Sequence, residues 1–253
     1  MSSLINSKRD LESWQDYYWN FIQSTTKQSS NESLWSWSAL SRNLNISMDT
    51  IINNDSLHWD WTAMSYNPNL TKDILVKYND KKWNYKAISN NTCITLDIIT
   101  LKDIDTWDWG GISSNISINM EMVQQTMDMY PWNWNKMSMN KNLTIEFVMN
   151  HIDRAWNWRT LSQSSIITMD VLLKLKDKPW DWGLLAKNVN ITLEMMKTHS
   201  QLGWKYKFIS SNPNIKTINL QETLDSGVDI DWYSLSYNPA LCMETIIHTH
   251  IIP

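Results

Sequence analysis

Apolar positions along this chain recur with a period of about 24 residues. Trp35, Trp59, Trp83, Trp107, Trp132, Trp156, Trp180 and Trp204 lie 24, 24, 24, 25, 24, 24 and 24 residues apart, and Ile230 takes the same place 26 residues later. With that first Trp as position one, the repeat reads W-[DN]-W-x-x-Φ-S-x-N-x-N-Φ-[ST]-x-[DE]-Φ-Φ, where Φ is aliphatic or Met. Positions six (Leu40, Met64, Ile88, Ile112), twelve (Ile46, Leu70, Ile94, Ile118) and seventeen (Ile51, Leu75, Ile99, Val123) are apolar in every repeat. Self-similarity at such a period marks an array in which each unit buries its apolar face against its neighbours.

Inside each repeat the polar positions predict two helix starts. An N-cap is an oxygen-bearing side chain preceded by an apolar residue that packs on the fourth helical residue. Position two is Ser36, Asp60, Asn84, Asp108, Asn133, Asn157, Asp181 or Asp231, with Lys205 the exception, so Trp59 should staple to Met64. Position thirteen is Ser47, Thr71, Thr95, Asn119, Thr144, Thr168 or Thr192, so Ile191 should staple to Met196. Acids such as Asp73 and Glu194 follow two residues after the second cap, where the helix dipole favours them. Asn at position nine, followed by Pro in Asn67-Pro68, Asn212-Pro213 and Asn238-Pro239, suits a helix end in the left-handed conformation. The prediction is a helix of roughly six residues, a tight turn, a helix of roughly seven or eight, and a polar connector.

These elements define an all-α fold: a helical solenoid of nine helix-turn-helix repeats over residues 35–253, with residues 1–34 supplying an N-terminal helical cap and connector. Leu11, Trp14, Tyr17, Tyr18, Phe21 and Ile22 have helical spacing, and Lys27 to Glu32 reads as the connector. The competing architecture is a leucine-rich horseshoe, since its units run 20–29 residues and Leu235-Ser236-Tyr237-Asn238 echoes its turn. Steps of three from Trp61 to Met64 to Asn67 suit a helix better than a strand.

Because such short helices are unstable alone, the indoles must form the core. The candidate structural residues are Trp35, Trp37, Trp59, Trp61, Trp83, Trp107, Trp109, Trp132, Trp134, Trp156, Trp158, Trp180, Trp182, Trp204 and Trp232. Tyr85 and Tyr206 stand in the second aromatic column. Composition sharpens the picture: 17 Trp stand beside 3 Phe and 5 Gly, and 42% of residues are apolar against 19% charged. Lys plus Arg total 22 against 26 acids, a net charge of −4, which offers no basic footprint for nucleic acid. No apolar run approaches membrane length, and the first residues, MSSLINSKRD, lack the apolar stretch of a secretion signal.

Candidate chemistry is sparse, and no catalytic residue, cofactor or metal ligand is expected. Cys93 and Cys242 have no metal spacing. His248 and His250 are two apart with no third ligand close in sequence, and His58, His151 and His199 are scattered. The repeated carboxylates are explained by helix starts before acid-base pairs. Ser at position seven (Ser41, Ser65, Ser89, Ser113, Ser138, Ser162, Ser210, Ser236) has no accompanying base, and its expected role is to close the first helix or let two helices approach. Lys81, Lys82, Lys174, Lys176 and Lys178 read as solvated connectors.

The string W-D-W-x-x-L-S-x-N-P-N-I-T, closest in Trp59-Asp60-Trp61 through Thr71 and in Trp180-Asp181-Trp182 through Glu194, resembles the tryptophan-rich repeats of proteins from giant DNA viruses of the mimivirus type. The likeness covers residues 35–247 and transfers no activity. It implies a viral protein working in the host cytoplasm, a virus factory or the virion. The functional expectation is a non-enzymatic scaffold that presents the variable positions four, eight, ten and eighteen to twenty-four to a protein partner. The alternative is a self-assembling structural component joined through the apolar C-terminal repeat.

Overall fold

A computed structural model of the chain describes residues 17–25, 35–214, 227 and 229–240. The described residues are helical with no strand, which excludes the horseshoe and establishes the helical repeat solenoid. The chain forms two compact lobes. The first comprises Met1–Asn133 and Asn140–Asn142, and the second Trp134–Met139 and Leu143–Pro253. The expectations for residues 11–16, the connector at 27–32, the second helices of the last two repeats and the tail bearing His248 and His250 lie outside the described residues.

Both predicted helix starts are present. In the first lobe the side chains of Ser36, Asp60 and Asn84 accept the backbone N–H three residues on, and Asp108 accepts from Gly110. In the second lobe Asn157, Asp181 and Asp231 do the same at Trp158–Leu161, Trp182–Ala186 and Trp232–Ser236. Ser47, Thr71, Asn119, Thr144 and Thr192 cap second helices. Thr95 and Thr168 hold the extended cap backbone yet make no cap hydrogen bond, and the Thr95 hydroxyl is buried without a partner.

Two expectations are corrected. Most second helices are shorter than seven or eight residues: Met48–Asn53, Lys72–Lys77, Ile145–Asn150, Met169–Lys174 and Leu193–Thr198 have six each and Leu96–Ile99 has four, while Met120–Thr126 has the expected seven. They stop where the next repeat's indole takes over a terminal carbonyl. Trp83 Nε1 donates to Tyr78 O at 2.7 Å, Trp156 to His151 O at 2.8 Å, Trp180 to Leu175 O at 2.8 Å and Trp204 to His199 O at 3.0 Å. Carbonyls at a helix end have no intrahelical donor, and the indole N–H supplies one. The second correction concerns position nine. Asn43, Asn115 and Asn212 end their helices at φ of −71°, −71° and −77°, extended and not left-handed. Their side chains are recruited for another purpose, described below.

The helix over residues 17–25 covers the first repeat. Trp19 stacks on Trp59 with ring centroids 5.7 Å apart, and Ile22 is buried. Tyr18 Oη accepts from Asn43 Nδ2, and Thr25 Oγ1 accepts from Trp35 Nε1.

Candidate functional site

The first indole column is the core that the sequence predicts. Trp59, Trp83, Trp107 and Trp132 in the first lobe, and Trp156, Trp180 and Trp204 in the second, are buried together with Met64, Ile88, Ile112, Leu161, Leu185 and Ile209. Trp35 is only half-buried. The second column behaves differently. Trp37, Trp61, Trp109, Trp134, Trp158 and Trp182 are half-buried, and Trp232 is 49% exposed, so this column lines an edge of the core and does not fill it.

In seven repeats the second-column ring meets the first-column ring of the next repeat edge-on. Centroid distances are 5.3 Å for Trp37–Trp59, 5.2 Å for Trp61–Trp83, 5.2 Å for Tyr85–Trp107 and 5.4 Å for Trp109–Trp132 in the first lobe. They are 5.3 Å for Trp134–Trp156, 4.9 Å for Trp158–Trp180 and 4.9 Å for Trp182–Trp204 in the second. This geometry sets the positive ring edge against the negative face, worth about 0.5–1.5 kcal/mol per pair beyond burial.

The outer faces of four of these rings are covered by cations from the connectors. Lys81 lies over Trp61, Lys102 over Tyr85, Arg154 over Trp134 and Lys178 over Trp158, at 5.9, 5.4, 4.9 and 5.5 Å from the ring centroids. Lys81 and Lys178 are therefore ring covers as well as solvated connector residues. At Trp182 the backbone of Gly203 comes close instead. A Cβ there would sit 2.9 Å from Trp182 Cδ1.

Two polar networks join consecutive repeats, and sequence reasoning missed both roles. The Ser at position seven donates to the carbonyl four residues back and accepts the N–H of position two in the next repeat. Ser41 bonds Trp37 O and Asp60 N, Ser65 bonds Trp61 O and Asn84 N, and Ser162 bonds Trp158 O and Asp181 N. The Asn at position nine reaches backward. In the first lobe Asn91 Nδ2 donates to Asn67 O, Asn115 to Ser89 O and Asn91 O, and Asn140 to Ser113 O and Asn115 O. In the second, Asn188 donates to Ser162 O and Ser164 O, Asn212 to Ala186 O and Asn188 O, and Asn238 to Ser210 O and Asn212 O. Each Oδ1 accepts the N–H two residues on, as at Ser117 and Asn190, which shapes the interhelix turn. The signal for both networks was in the sequence, as polar columns more regular than a helix end or a close approach requires.

The same turn carries exposed apolar side chains at the variable positions eight and ten. They are Leu44, Tyr66 and Ile116 in the first lobe, and Met139, Val189 and Tyr237 in the second. Leu44 is 61% and Tyr237 73% exposed. Buried apolar groups are ordinary in a folded protein, whereas a recurrent exposed set is informative.

No His, Cys, Asp or Glu groups with metal-binding geometry occur among the described residues. His151 bonds Phe147 O through Nδ1 and stacks on Trp134, and the His199 carbonyl receives Trp204. Burial pushes the Cys93 thiol up to about 11, which leaves it a weak nucleophile at neutral pH. The first-turn acids Asp49, Asp73, Glu146 and Glu194 are exposed at helix starts. No described helix is long and apolar enough to cross a membrane.

Comparison of the chain with protein-family models, with curated proteins and with solved structures returns no match.

Proposed function

We propose that this protein is a non-enzymatic scaffold that binds a protein partner along the interhelix-turn edge of its repeats. The supporting observation is the contrast within the turn. Position nine is a buried Asn joining repeats in all but two of them, where Asn43 and Ser164 are half-buried, while positions eight and ten beside it vary and expose Leu44, Tyr66, Ile116, Met139, Val189 and Tyr237. Within each lobe, large apolar side chains displayed along one turn edge suit an interface, whose energy concentrates in such anchors. The likeness of the W-D-W-x-x-L-S-x-N-P-N-I-T string to giant-virus repeats supports a viral setting, in the host cytoplasm, a virus factory or the virion.

The test is a surface variant carrying Leu44→Glu, Tyr66→Glu and Ile116→Glu. Exposed substitutions of this kind change stability by about 0.5 kcal/mol or less each, so the variant should melt like the parent while losing the proteins that the parent captures from lysate. Capture of the same proteins by a folded variant would count against the proposal. A second reading is self-association through the C-terminal repeat, favoured by the half-exposed Trp232 beside exposed Tyr233. Sedimentation of a strict monomer at high concentration would remove it.

A further inference from the structure

The helix Trp109–Ser114 in the first lobe carries Gly110 and Gly111 in its interior, where glycine is less favourable than alanine. The equivalent of Gly111 in the three repeats before it is Ala39, Ala63 or Ala87. A Cβ at Gly111 would lie 2.8 Å from both Nδ2 and Oδ1 of Asn90, so the glycine makes room for that carboxamide. Asn90 is exposed and its only hydrogen bond is local, from Nδ2 to Lys86 O. A helix rule broken to accommodate an exposed polar side chain points to a use for that side chain.

Asn90 lines a cavity of about 360 Å³ together with Tyr66, Asn84, Lys86 and Ala87 and the buried Ser65 and Asn91. The chain is described without a break from residue 35 to 214, and every lining residue falls inside that stretch. The lining is richer in donors than in acceptors. Tyr66 Oη accepts from Asn84 Nδ2 and keeps its own proton to donate, and the carboxamides of Asn84 and Asn90 each have a second N–H. Lys86 brings an exposed ammonium. The ion pairs among the described residues are Lys72–Asp97, Lys81–Asp80 and Arg159–Asp181, so Asp108, at the place Asp181 takes beside Arg159, does not pair with Lys86. No carboxylate lines the cavity. The Arg42 guanidinium, 4.7 Å from the Tyr66 ring centroid, braces that ring.

We propose that this cavity takes the carboxylate side chain of an Asp or Glu within the partner segment that docks on the interhelix-turn edge. The inference rests on the reading of that edge given above, and Tyr66 belongs to both. A carboxylate is an acceptor only and has lone pairs for several donors, which is what Lys86, Tyr66, Asn84 and Asn90 offer. The apolar anchors Leu44 and Ile116 belong to the first and fourth repeats, on either side of the cavity between the second and third. A segment touching both passes over the cavity and does not end in it, so the acid is internal to the segment and is not its C-terminus.

Selection of phage-displayed random dodecapeptides on the full chain, and in parallel on Lys86→Glu, tests this. The parent should enrich Asp or Glu at one position between large apolar residues. On Lys86→Glu that position should switch to Lys or Arg while the apolar positions stay. In fluorescence polarisation, replacing the acid of a selected peptide by its amide should weaken binding on the order of tenfold. Lys86→Gln should give the same loss, and the two changes together no more than either alone. Lys86→Arg should retain binding, which separates loss of the charge from loss of the fold, and Lys77→Gln, outside the cavity, should change nothing. Apolar peptides enriched without an acid, an acid that persists on Lys86→Glu, or additive losses would overturn the proposal and leave the edge reading standing. Absence of any enrichment would overturn both.

Discussion

Two residue types hold consecutive repeats together in different ways. Trp132 buries its ring, meets Trp109 edge-on and donates Nε1 to Thr126 O. Truncating it removes all three, so Trp132→Ala should cost roughly 3–5 kcal/mol. Lys174→Ala, at an exposed helix end, should stay within about 0.5 kcal/mol. Urea unfolding separates the two, and equal losses would contradict the core assignment. Asn115 is the more discriminating position, because its amide donates to Ser89 O and Asn91 O inside the first lobe. In Asn115→Asp a carboxylate would face those carbonyls, and burial without a donor disfavours its charge, so its folded pKa should rise above the usual carboxyl range. Stability of the variant should therefore be greatest below pH about 4 and fall as pH rises through that range. The expected deficit at pH 7 is about 3 kcal/mol, counting the unsatisfied carbonyls. A deficit that does not change between pH 3 and pH 7 would show that the amide proton is not what matters.

At the scale of the helix, the caps were legible and their failures were not. Ser, Thr, Asp and Asn at positions two and thirteen announce starts because their side chains are short enough to reach the N–H groups of the first turn. Thr71 does so, accepting from Ile74 N. Thr95 occupies the same column, and its hydroxyl is buried without a partner. Thr71→Val should thus cost about 1 kcal/mol, while Thr95→Val, which removes an unsatisfied polar group, should be neutral or stabilising. Thermal melts of the pair decide this, and a larger loss at Thr95 would mean that its hydroxyl is bonded in solution. Helix ends were harder to read. Carbonyl capping by an indole five residues on depends on where that ring packs, and no spacing rule encodes it. The left-handed expectation for Asn43 failed for a related reason. Its Oδ1 accepts the N–H of Asn45, and an extended backbone allows that turn.

The whole molecule is an array whose joints repeat every 24 residues, and that register is testable. Removing residues 59–82 would bring Trp83 to the place of Trp59, with Asn84 N facing Ser41 Oγ and the Asn91 amide facing the carbonyls of Ser41 and Asn43. The serine and position-nine asparagine bonds of the lost joint are thereby recreated, while those of the Asn69 amide to Leu44 O and Ile46 O are lost because Cys93 takes its place. Circular dichroism should show the same helicity per residue and a cooperative melt, as nearest-neighbour stacking implies. Removing residues 59–70 alone shifts the register by half a repeat and should abolish the cooperative transition. Identical behaviour of the two deletions would refute the joint. By itself the sequence determined the all-helical repeat, its period, its two helix starts and the burial of the first Trp column, because those follow from local propensity and from apolar residues recurring in step. Tertiary structure alone decided what the polar columns do. The Ser and Asn side chains bond partners 19 to 28 residues away, so their roles exist only once a neighbouring repeat has been placed beside them. It also decided which indoles face outward, since the exposure of Trp232 or the cation over Trp134 depends on neighbouring connectors and not on a residue's own position in the pattern.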